Sequence, residues 1–99
     1  MTIYKRDGRK TDFNKDKIKI AVLKAFADVD GEETAYAKEK AREIANYIES
    51  LNKDLSVEDV QDLVEEKLMA SNRKDIARSY ILYRYERNKI RKSKTYAVF

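Results

Sequence analysis

The chain has 99 residues, of which 42% are hydrophobic and 40% are charged, with a formal net charge of +4. This length allows one compact domain with a modest core, because independent domains rarely fall below about 50 residues. The chain contains neither cysteine nor histidine, which excludes disulfides, thiolate or imidazole metal sites, and cysteine or histidine catalysis. No pair of acidic residues stands out as catalytic, so we do not expect an enzyme in its own right.

No apolar run approaches the roughly 18 residues that a membrane span needs, and no secretory leader is recognised. We therefore expect a soluble, cytoplasmic protein that does not bind a membrane.

A β-hairpin is predicted at the start of the chain. Residues 3–6 and 9–13 flank Asp7-Gly8, and Asp-Gly is a favoured hairpin turn because glycine accepts a positive φ without strain. Residues 3–18 include six lysine or arginine residues, so this turn lies in a strongly basic segment.

Four amphipathic helices are predicted after the hairpin, because apolar residues recur at helical spacing in four segments. The first is capped by Asn14 or Asp16 and ends at Gly31, and Ser56 with Asp59 forms nearly a capping box at the start of the third. The predicted inward stripes are Ile18, Ala21, Val22, Ala25, Phe26 and Val29; Ala37, Ala41, Ile44, Ala45, Ile48 and Leu51; Val60, Leu63, Val64 and Leu68; and Ile76, Ala77, Tyr80, Ile81, Tyr83 and Ile90.

These elements predict an α+β fold, mostly α, in which an N-terminal β-hairpin lid lies on a four-helix bundle. Short polar connections favour helices that pack on their neighbours. The fourth helix is predicted to run toward Lys92, which gives a domain over residues 1–92. Residues 93–99 show no period, and we expect a tail, a linker remnant or a segment that docks on a partner.

Basic residues concentrate at the two ends of the chain. Residues 1–27 contain eight basic and three acidic residues, residues 28–66 four and thirteen, and residues 67–99 ten and two. The ordinary interpretation is that the ends neutralise the acidic middle and that each run is a solvated face. The alternative is that the hairpin and the last helix converge on an anion. Its cations would be Lys5, Arg6, Arg9, Lys17, Arg84, Arg87 and Arg91.

Nucleic acid and nucleotide are the two candidate anions. A nucleic-acid binder would present a long basic stripe with stacking aromatics, and Tyr80, Tyr83 and Tyr85 lie among arginines, although Tyr80 and Tyr83 also fall at core spacing. A compact cluster around one turn and one helix start is more typical of a phosphate site. The glycine pattern of a P-loop is missing, so such a site would be of another type.

Three parts of the chain carry a recognisable pattern. Residues 3–9 (IYKRDGR) with 13–18 (FNKDKI), residues 56–65 (SVEDVQDLVE) and residues 77–87 (ARSYILYRYER) resemble the ATP-cone domain at the N-terminus of many ribonucleotide reductases. The later segments look most like the cone of anaerobic, glycyl-radical-type reductases. The resemblance implies a regulatory module that binds ATP or dATP, with Mg²⁺, under a hairpin lid. The nucleotide would change the oligomeric state and so the activity of a reductase catalytic domain or subunit.

The resemblance also implies a set of nucleotide-binding residues: Ile3, Lys5, Arg6, Asn14, Lys17, Ile18, Val57, Gln61, Tyr83, Arg84 and Arg87. Ile3, Lys5 and Arg6 would contact base and phosphates, and Asn14 and Lys17 would hold the sugar and phosphates. Ordinary structural roles are the alternative for several of them. Lys5 and Arg6 could solubilise the hairpin, and Asn14 could serve only as a cap.

The remaining members of the set come from the third and fourth helices. Tyr83 would line the pocket, and Arg87 or Arg84 would reach the triphosphate, although Arg84 could instead pair with an acid of a neighbouring helix. Val57 and Gln61 stand where family members often have Thr and His or Asp, positions that bear on the sugar and on a second nucleotide. Arg9, Lys10 and Lys15 are expected to stay in solvent.

The implied partners are a nucleotide, a ribonucleotide reductase catalytic domain or subunit, and other copies of the chain. Nucleic acid is less favoured, because the chain lacks the Cys-rich zinc ribbon that precedes the cone in the nucleotide-responsive repressor of reductase genes. A nucleic-acid-binding or transcription-regulatory module that uses the basic hairpin and last helix stays the alternative. A dimerisation domain indifferent to nucleotide is the third hypothesis.

Overall fold

The structure, a computed structural model, describes the backbone of residues 1–97 and the side chains of residues 1–87. Its elements are β1 (Thr2–Tyr4), β2 (Lys10–Asp12), α1 (Lys15–Asp30), α2 (Ala35–Ser50), β3 (Leu55–Ser56), α3 (Val57–Met69) and α4 (Lys74–Ala97). The predicted α+β class, mostly α, with a hairpin and four helices, is confirmed.

The three strands form one small sheet in the order β2-β1-β3. β1 runs antiparallel to β2, with Ile3 opposite Thr11, and parallel to β3, with Ile3 opposite Leu55. β3 was not predicted from the sequence, because a strand of two residues has no period to detect. The hairpin is therefore hydrogen-bonded to the segment that leads directly into α3.

The hairpin loop is a three-residue turn that ends in a left-handed glycine. Gly8 has a φ of +85° and donates its N–H to the Lys5 carbonyl at 3.0 Å, and the Lys5 N–H donates to the Arg9 carbonyl at 2.8 Å. The Asp7 carboxylate accepts the Arg9 N–H at 3.0 Å and pairs with its guanidinium at 2.6 Å. The backbone hydrogen bond from Arg9 lowers the pKa of Asp7, so this acid stays ionised and supports the turn.

Side-chain caps define where α1 and α3 begin. Of the two predicted caps of α1, Asn14 is the one used, because its Oδ1 accepts the Asp16 N–H at 3.0 Å. α1 ends at Gly31, whose φ is +79°. At α3 the capping box is complete: Ser56 Oγ accepts the Asp59 N–H at 3.0 Å, and the Ser56 N–H donates to the Asp59 carboxylate at 3.1 Å.

The core lies where α1 packs against α2 and α4 and where α3 packs against α4. The largest fully buried side chains all come from the predicted stripes: Val22, Phe26, Ile44, Ile48, Val64, Leu68 and Ile76. Two predicted inward positions are wrong, because Val29 and Ile81 are exposed. Val29 lies in the last turn of α1, and Ile81 lies at the margin of the buried stripe of α4, about 100° around the helix from Tyr80.

α4 continues to Ala97, past the predicted end at Lys92, so the expected tail at residues 93–99 is helical as far as the structure describes it. An apolar stripe in a sequence indicates a buried face and not the helix itself, and this end of the chain is rich in lysine and arginine. The side chains of Ile90 and Arg91 lie outside the described residues, as do Val98 and Phe99. None of the helices in the described part is both long and apolar enough to cross a membrane.

Candidate functional site

A cavity of about 850 Å³ opens between the hairpin, the start of α1, one face of α3 and the middle of α4. This volume falls within the range of small-molecule sites. All eleven residues implied by the family resemblance line it, namely Ile3, Lys5, Arg6, Asn14, Lys17, Ile18, Val57, Gln61, Tyr83, Arg84 and Arg87. The structure therefore brings the whole set together, while their roles toward a ligand stay predictions.

Nine further residues line the cavity: Asp7, Arg9, Thr11, Asp12, Phe13, Ala21, Val60, Val64 and Tyr80. Most of the apolar members were predicted only as core residues. The same apolar residues can pack in the core and line the cavity, because the cavity opens from one edge of the core.

One wall of the cavity is apolar. Val57, Val60 and Val64 of α3 line it at i, i+3 and i+7 spacing, which places them on one face of the helix. Ile3 and Tyr80 add buried side chains. Burial raises the pKa of Tyr80 to about 12, so its hydroxyl stays neutral. This wall can contact a flat apolar group.

Gln61 places an acceptor among these valines. Its side-chain oxygen is buried and has no hydrogen-bond partner among the described residues. A buried acceptor left unpaired costs about 1–3 kcal/mol. The N–H or O–H of a ligand that enters the cavity would satisfy this oxygen. The sequence marked position 61 only through the family resemblance, and nothing in the pattern signalled that the amide oxygen would be unpaired.

Basic side chains from three elements surround the cavity. Six lining residues are basic, namely Lys5, Arg6, Arg9, Lys17, Arg84 and Arg87, while two are acidic, Asp7 and Asp12. The lining therefore has an excess of four positive charges, which favours an anionic ligand. The first turn of α1 adds the positive end of a helix dipole, since Asn14 and Lys17 also line the cavity.

The six cations differ in how they are paired. Among the residues whose side chains are described, no carboxylate lies within 4.0 Å of Lys5, Lys17 or Arg87. The other three have carboxylate partners: Arg6 with Glu58 at 2.5 Å, Arg9 with Asp7 at 2.6 Å, and Arg84 with Asp62 at 2.8 Å. Lys5, Lys17 and Arg87 can therefore bind an anion without losing an ion pair to a described side chain.

The family model of the ATP cone domain matches residues 1–89. The chain belongs to the ATP-cone family. The resemblance drawn from the three sequence segments is thereby confirmed, and the match supports a nucleotide-binding regulatory module. The ATP cone is a regulatory domain and not a catalytic one.

The chain is also similar to the N-terminal part of several reductases. It is 32% identical over 94 residues to the anaerobic ribonucleoside-triphosphate reductase of Haemophilus influenzae, a match that covers 94% of the chain and 13% of that protein. The vitamin B12-dependent ribonucleoside-diphosphate reductase of Thermoplasma acidophilum is 37% identical over 97 residues, with 93% and 12% covered. The anaerobic enzyme of Escherichia coli is 31% identical over 86 residues, with 87% and 12% covered.

The chain thus spans 12–13% of the length of these curated relatives. Anaerobic and vitamin B12-dependent reductases both appear among them. The similarity is therefore not confined to the anaerobic type that the later segments of the sequence suggested.

In this cone, Arg84 is the most enclosed of the paired cations. Its side chain is 18% exposed, and its Nη1 lies 2.8 Å from the Asp62 carboxylate and 3.5 Å from that of Glu65. Burial is the largest single influence and would lower the pKa of Arg84, but the hydrogen bond to Asp62 and the negative charges of Asp62 and Glu65 together outweigh it and raise the pKa. The alternative role foreseen for Arg84, an ion pair with a neighbouring helix, is confirmed, and the same side chain lines the cavity.

Two cations lie near the ring of Tyr83. The Lys24 ammonium lies 4.7 Å from the centre of its ring and the Arg87 guanidinium carbon 5.8 Å from it. Arg87 also donates to the Tyr83 hydroxyl at 3.5 Å. Cations near a ring face are attracted by the ring quadrupole, so Tyr83 links α1 to α4 and holds Arg87 at the cavity.

The three cations expected to stay in solvent differ in their position relative to the cavity. Arg9 lines the cavity, although its side chain is largely exposed. Lys10 and Lys15 do not line it: Lys10 lies 5.8 Å from the ring centre of Tyr4, and Lys15 pairs with a carboxylate of α2 at 3.7 Å. Arg9 differs from Lys10 because it directly follows the turn and faces Lys5 across the loop.

Proposed function

We propose that this cone binds ATP or dATP, together with Mg²⁺, and that the bound nucleotide controls the oligomeric state or activity of a ribonucleotide reductase catalytic domain or subunit. The observation that carries the proposal is one cavity that combines six cations, an apolar wall and the Gln61 oxygen, which has no hydrogen-bond partner among the described side chains. A nucleotide has the matching parts, since it joins a polyphosphate to a polar sugar and a flat base.

The cations divide the cavity into a phosphate side and a base side. The phosphates would lie near Lys5, Lys17 and Arg87 and the start of α1, where charge-assisted hydrogen bonds are strong. The base would contact Ile3 and the valines of α3, and Gln61 would accept a hydrogen bond from the sugar or base. Mg²⁺ in nucleotide sites is usually bound by the phosphates and waters together with one or two carboxylates.

A compact ligand fits this arrangement better than a nucleic-acid strand. A strand binder exposes aromatic side chains in a row so that successive bases can stack. Here Tyr80 is 4% exposed and Tyr85 is 64% exposed, while Lys24 and Arg87 lie near the ring of Tyr83. The three tyrosines therefore do not form one stacking surface. The cations surround a concave cavity instead of following a stripe.

The relatives support the proposed control of a reductase. Three reductases of two types contain a region similar to this chain, and that region is a small share of each. A separate binding domain can regulate a larger protein only if the nucleotide binds two states of the assembly with different affinity.

Calorimetric titration with ATP and dATP, each with and without Mg²⁺, tests binding. We expect saturable heat with wild type, and a loss of about tenfold or more in affinity for Lys5→Ala and Lys17→Ala, because each removes a charge-assisted hydrogen bond. Lys10→Ala is the matched control, since it removes the same charge from the same hairpin outside the cavity.

Three outcomes separate the hypotheses. No heat and no thermal shift with either nucleotide would overturn nucleotide binding. Gel-shift affinity for DNA or RNA that falls steeply with salt and ignores competing ATP would favour the nucleic-acid alternative. Light scattering on the reductase that carries this cone would read out assembly. A mass and activity unchanged at saturating ATP and dATP would contradict the regulatory part alone.

A further inference from the structure

α3 carries a row of acids beside its valine face. Glu58, Asp62 and Glu65 lie at i, i+4 and i+7 spacing, so they share one side of the helix. None of the three lines the cavity. We call them the α3 carboxylates.

The α3 carboxylates hold two of the cavity's cations, and these come from two different elements. Glu58 pairs with Arg6 of the hairpin loop at 2.5 Å, and Asp62 and Glu65 pair with Arg84 of α4 at 2.8 and 3.5 Å. The positive charges of Arg6 and Arg84, which line the cavity, are thus already neutralised by acids that do not line it.

These pairs are placed so that they can be exchanged. Arg6 and Glu58 are both partly exposed, and in the other pair Asp62 is 66% exposed while Arg84 is 18% exposed. Ion pairs that water reaches contribute little stability because water screens them. The triphosphate of a nucleotide carries more negative charge than a carboxylate and, like a carboxylate, can accept two parallel hydrogen bonds from a guanidinium, so it is the stronger partner. An anion in the cavity would therefore compete with the α3 carboxylates for the same arginines.

We propose that the α3 carboxylates compete with the nucleotide's phosphates for Arg6 and Arg84. The carboxylates hold both arginines before binding and lose them to the phosphates when the nucleotide binds. This inference rests on the proposed nucleotide binding and specifies how the same site is regulated.

Two consequences follow from such an exchange. The affinity of the cavity is lower than its cations alone would give, because part of the binding energy separates existing pairs. The exchange also changes the surface of the cone, because α3 gains an acidic face once its arginines have moved. The Arg6 contact with Glu58 joins the hairpin loop to α3, so its loss alters how the loop is held at the cavity mouth.

The test compares charge-neutralising variants of nearly unchanged shape, titrated calorimetrically with ATP and dATP in the full chain. We expect Glu58→Gln and Asp62→Asn each to bind ATP about two- to fivefold more tightly, the range of typical exposed ion pairs. Glu66→Gln is the matched control: it removes the same charge from the same helix, but Glu66 is exposed and forms no ion pair with the side chains that the structure describes. Its gain should be clearly smaller.

A double-mutant cycle separates exchange from general electrostatics. Arg84→Gln should weaken ATP binding, and Asp62→Asn should then give no further gain, because the arginine for which it competes has been removed. Thermal unfolding of each variant, followed by circular dichroism, establishes that the comparison is between folded proteins.

The outcomes for this inference and for the proposed function differ. If wild type binds ATP or dATP but the neutralised variants bind no more tightly than Glu66→Gln, the competitor role is overturned and nucleotide binding stands. The competitor role is likewise overturned if Asp62→Asn keeps its full gain in the Arg84→Gln background. If no protein in the series binds either nucleotide, the proposed function fails and this inference fails with it.

Discussion

Ile3 and Leu55 lie opposite each other in the parallel register of β1 and β3. Both side chains are buried, and Leu55 is followed at once by Ser56, the N-cap of α3. Ile3 lines one side of the cavity and α3 forms its apolar wall. The pairing therefore fixes the distance between the two sides of the site.

Shortening Leu55 should weaken both the fold and the site. Leu55→Ala leaves a cavity next to Ile3, and large-to-small changes of this kind cost about 2–5 kcal/mol; a position in a short strand near the surface favours the lower end. We expect a lower urea midpoint and a weaker affinity for ATP, because the hairpin is held less firmly. Ile20→Ala, at an exposed position of α1, is the control and should change stability by less than about 0.5 kcal/mol. Equal effects of the two variants would contradict the role given to Leu55.

Replacing Gln61 should change stability and affinity in opposite directions. Gln61→Leu removes a buried oxygen that has no partner among the described residues, so the free energy of unfolding should stay the same or rise by up to about 1–3 kcal/mol. The affinity for ATP or dATP should fall, because the acceptor offered to the ligand is lost. Urea unfolding and calorimetry on the same preparation measure both quantities. A destabilised variant with unchanged affinity for ATP and dATP would contradict the proposed contact between Gln61 and the ligand.

Strong periodicity explains how much of the fold could be predicted. The stripe of α2 is nearly all buried, from Ala37 to Ile48, because small and branched apolar residues recur at each turn. β3 could not be predicted, since Leu55 and Ser56 form a strand only because β1 lies beside them. The end of α4 was also missed, because residues 93–97 show no apolar period in the sequence.

The site could likewise be predicted only in part from the sequence. Charge counting located the cations but could not choose their partner, and the family resemblance supplied a nucleotide as that partner. The ion pairs of Arg6 and Arg84 join residues that are 19 to 52 positions apart, so no local pattern contains them. Such pairs depend on how α3 packs beside the hairpin and α4, and this is decided by the tertiary fold.

The capping box of α3 should contribute measurably to stability. Ser56→Ala removes the hydroxyl that accepts the Asp59 N–H, and loss of an N-cap costs about 0.5–2 kcal/mol. Because α3 also forms the wall of the cavity, we expect a lower free energy of unfolding with a small loss of affinity for ATP. Ser56→Thr should recover most of the stability, since threonine also caps. A destabilisation as large in Ser56→Thr as in Ser56→Ala would point to packing and not to the cap.

The same box should make stability depend on pH in the acidic range. The backbone hydrogen bond from Ser56, followed by its side-chain hydrogen bond, lowers the pKa of Asp59, so near pH 4 the folded state binds fewer protons than the unfolded state. The stabilisation is therefore present above the unfolded pKa and is lost as the pH falls through the lowered folded pKa. Asp59→Asn should flatten this decline in the free energy of unfolding between about pH 5 and 3, measured by urea titration at each pH. The decline should not vanish, because hydrogen bonds from Arg9 and Arg73 also lower the pKa values of Asp7 and Asp75. An Asp59→Asn curve that runs parallel to wild type through this range would contradict the assignment.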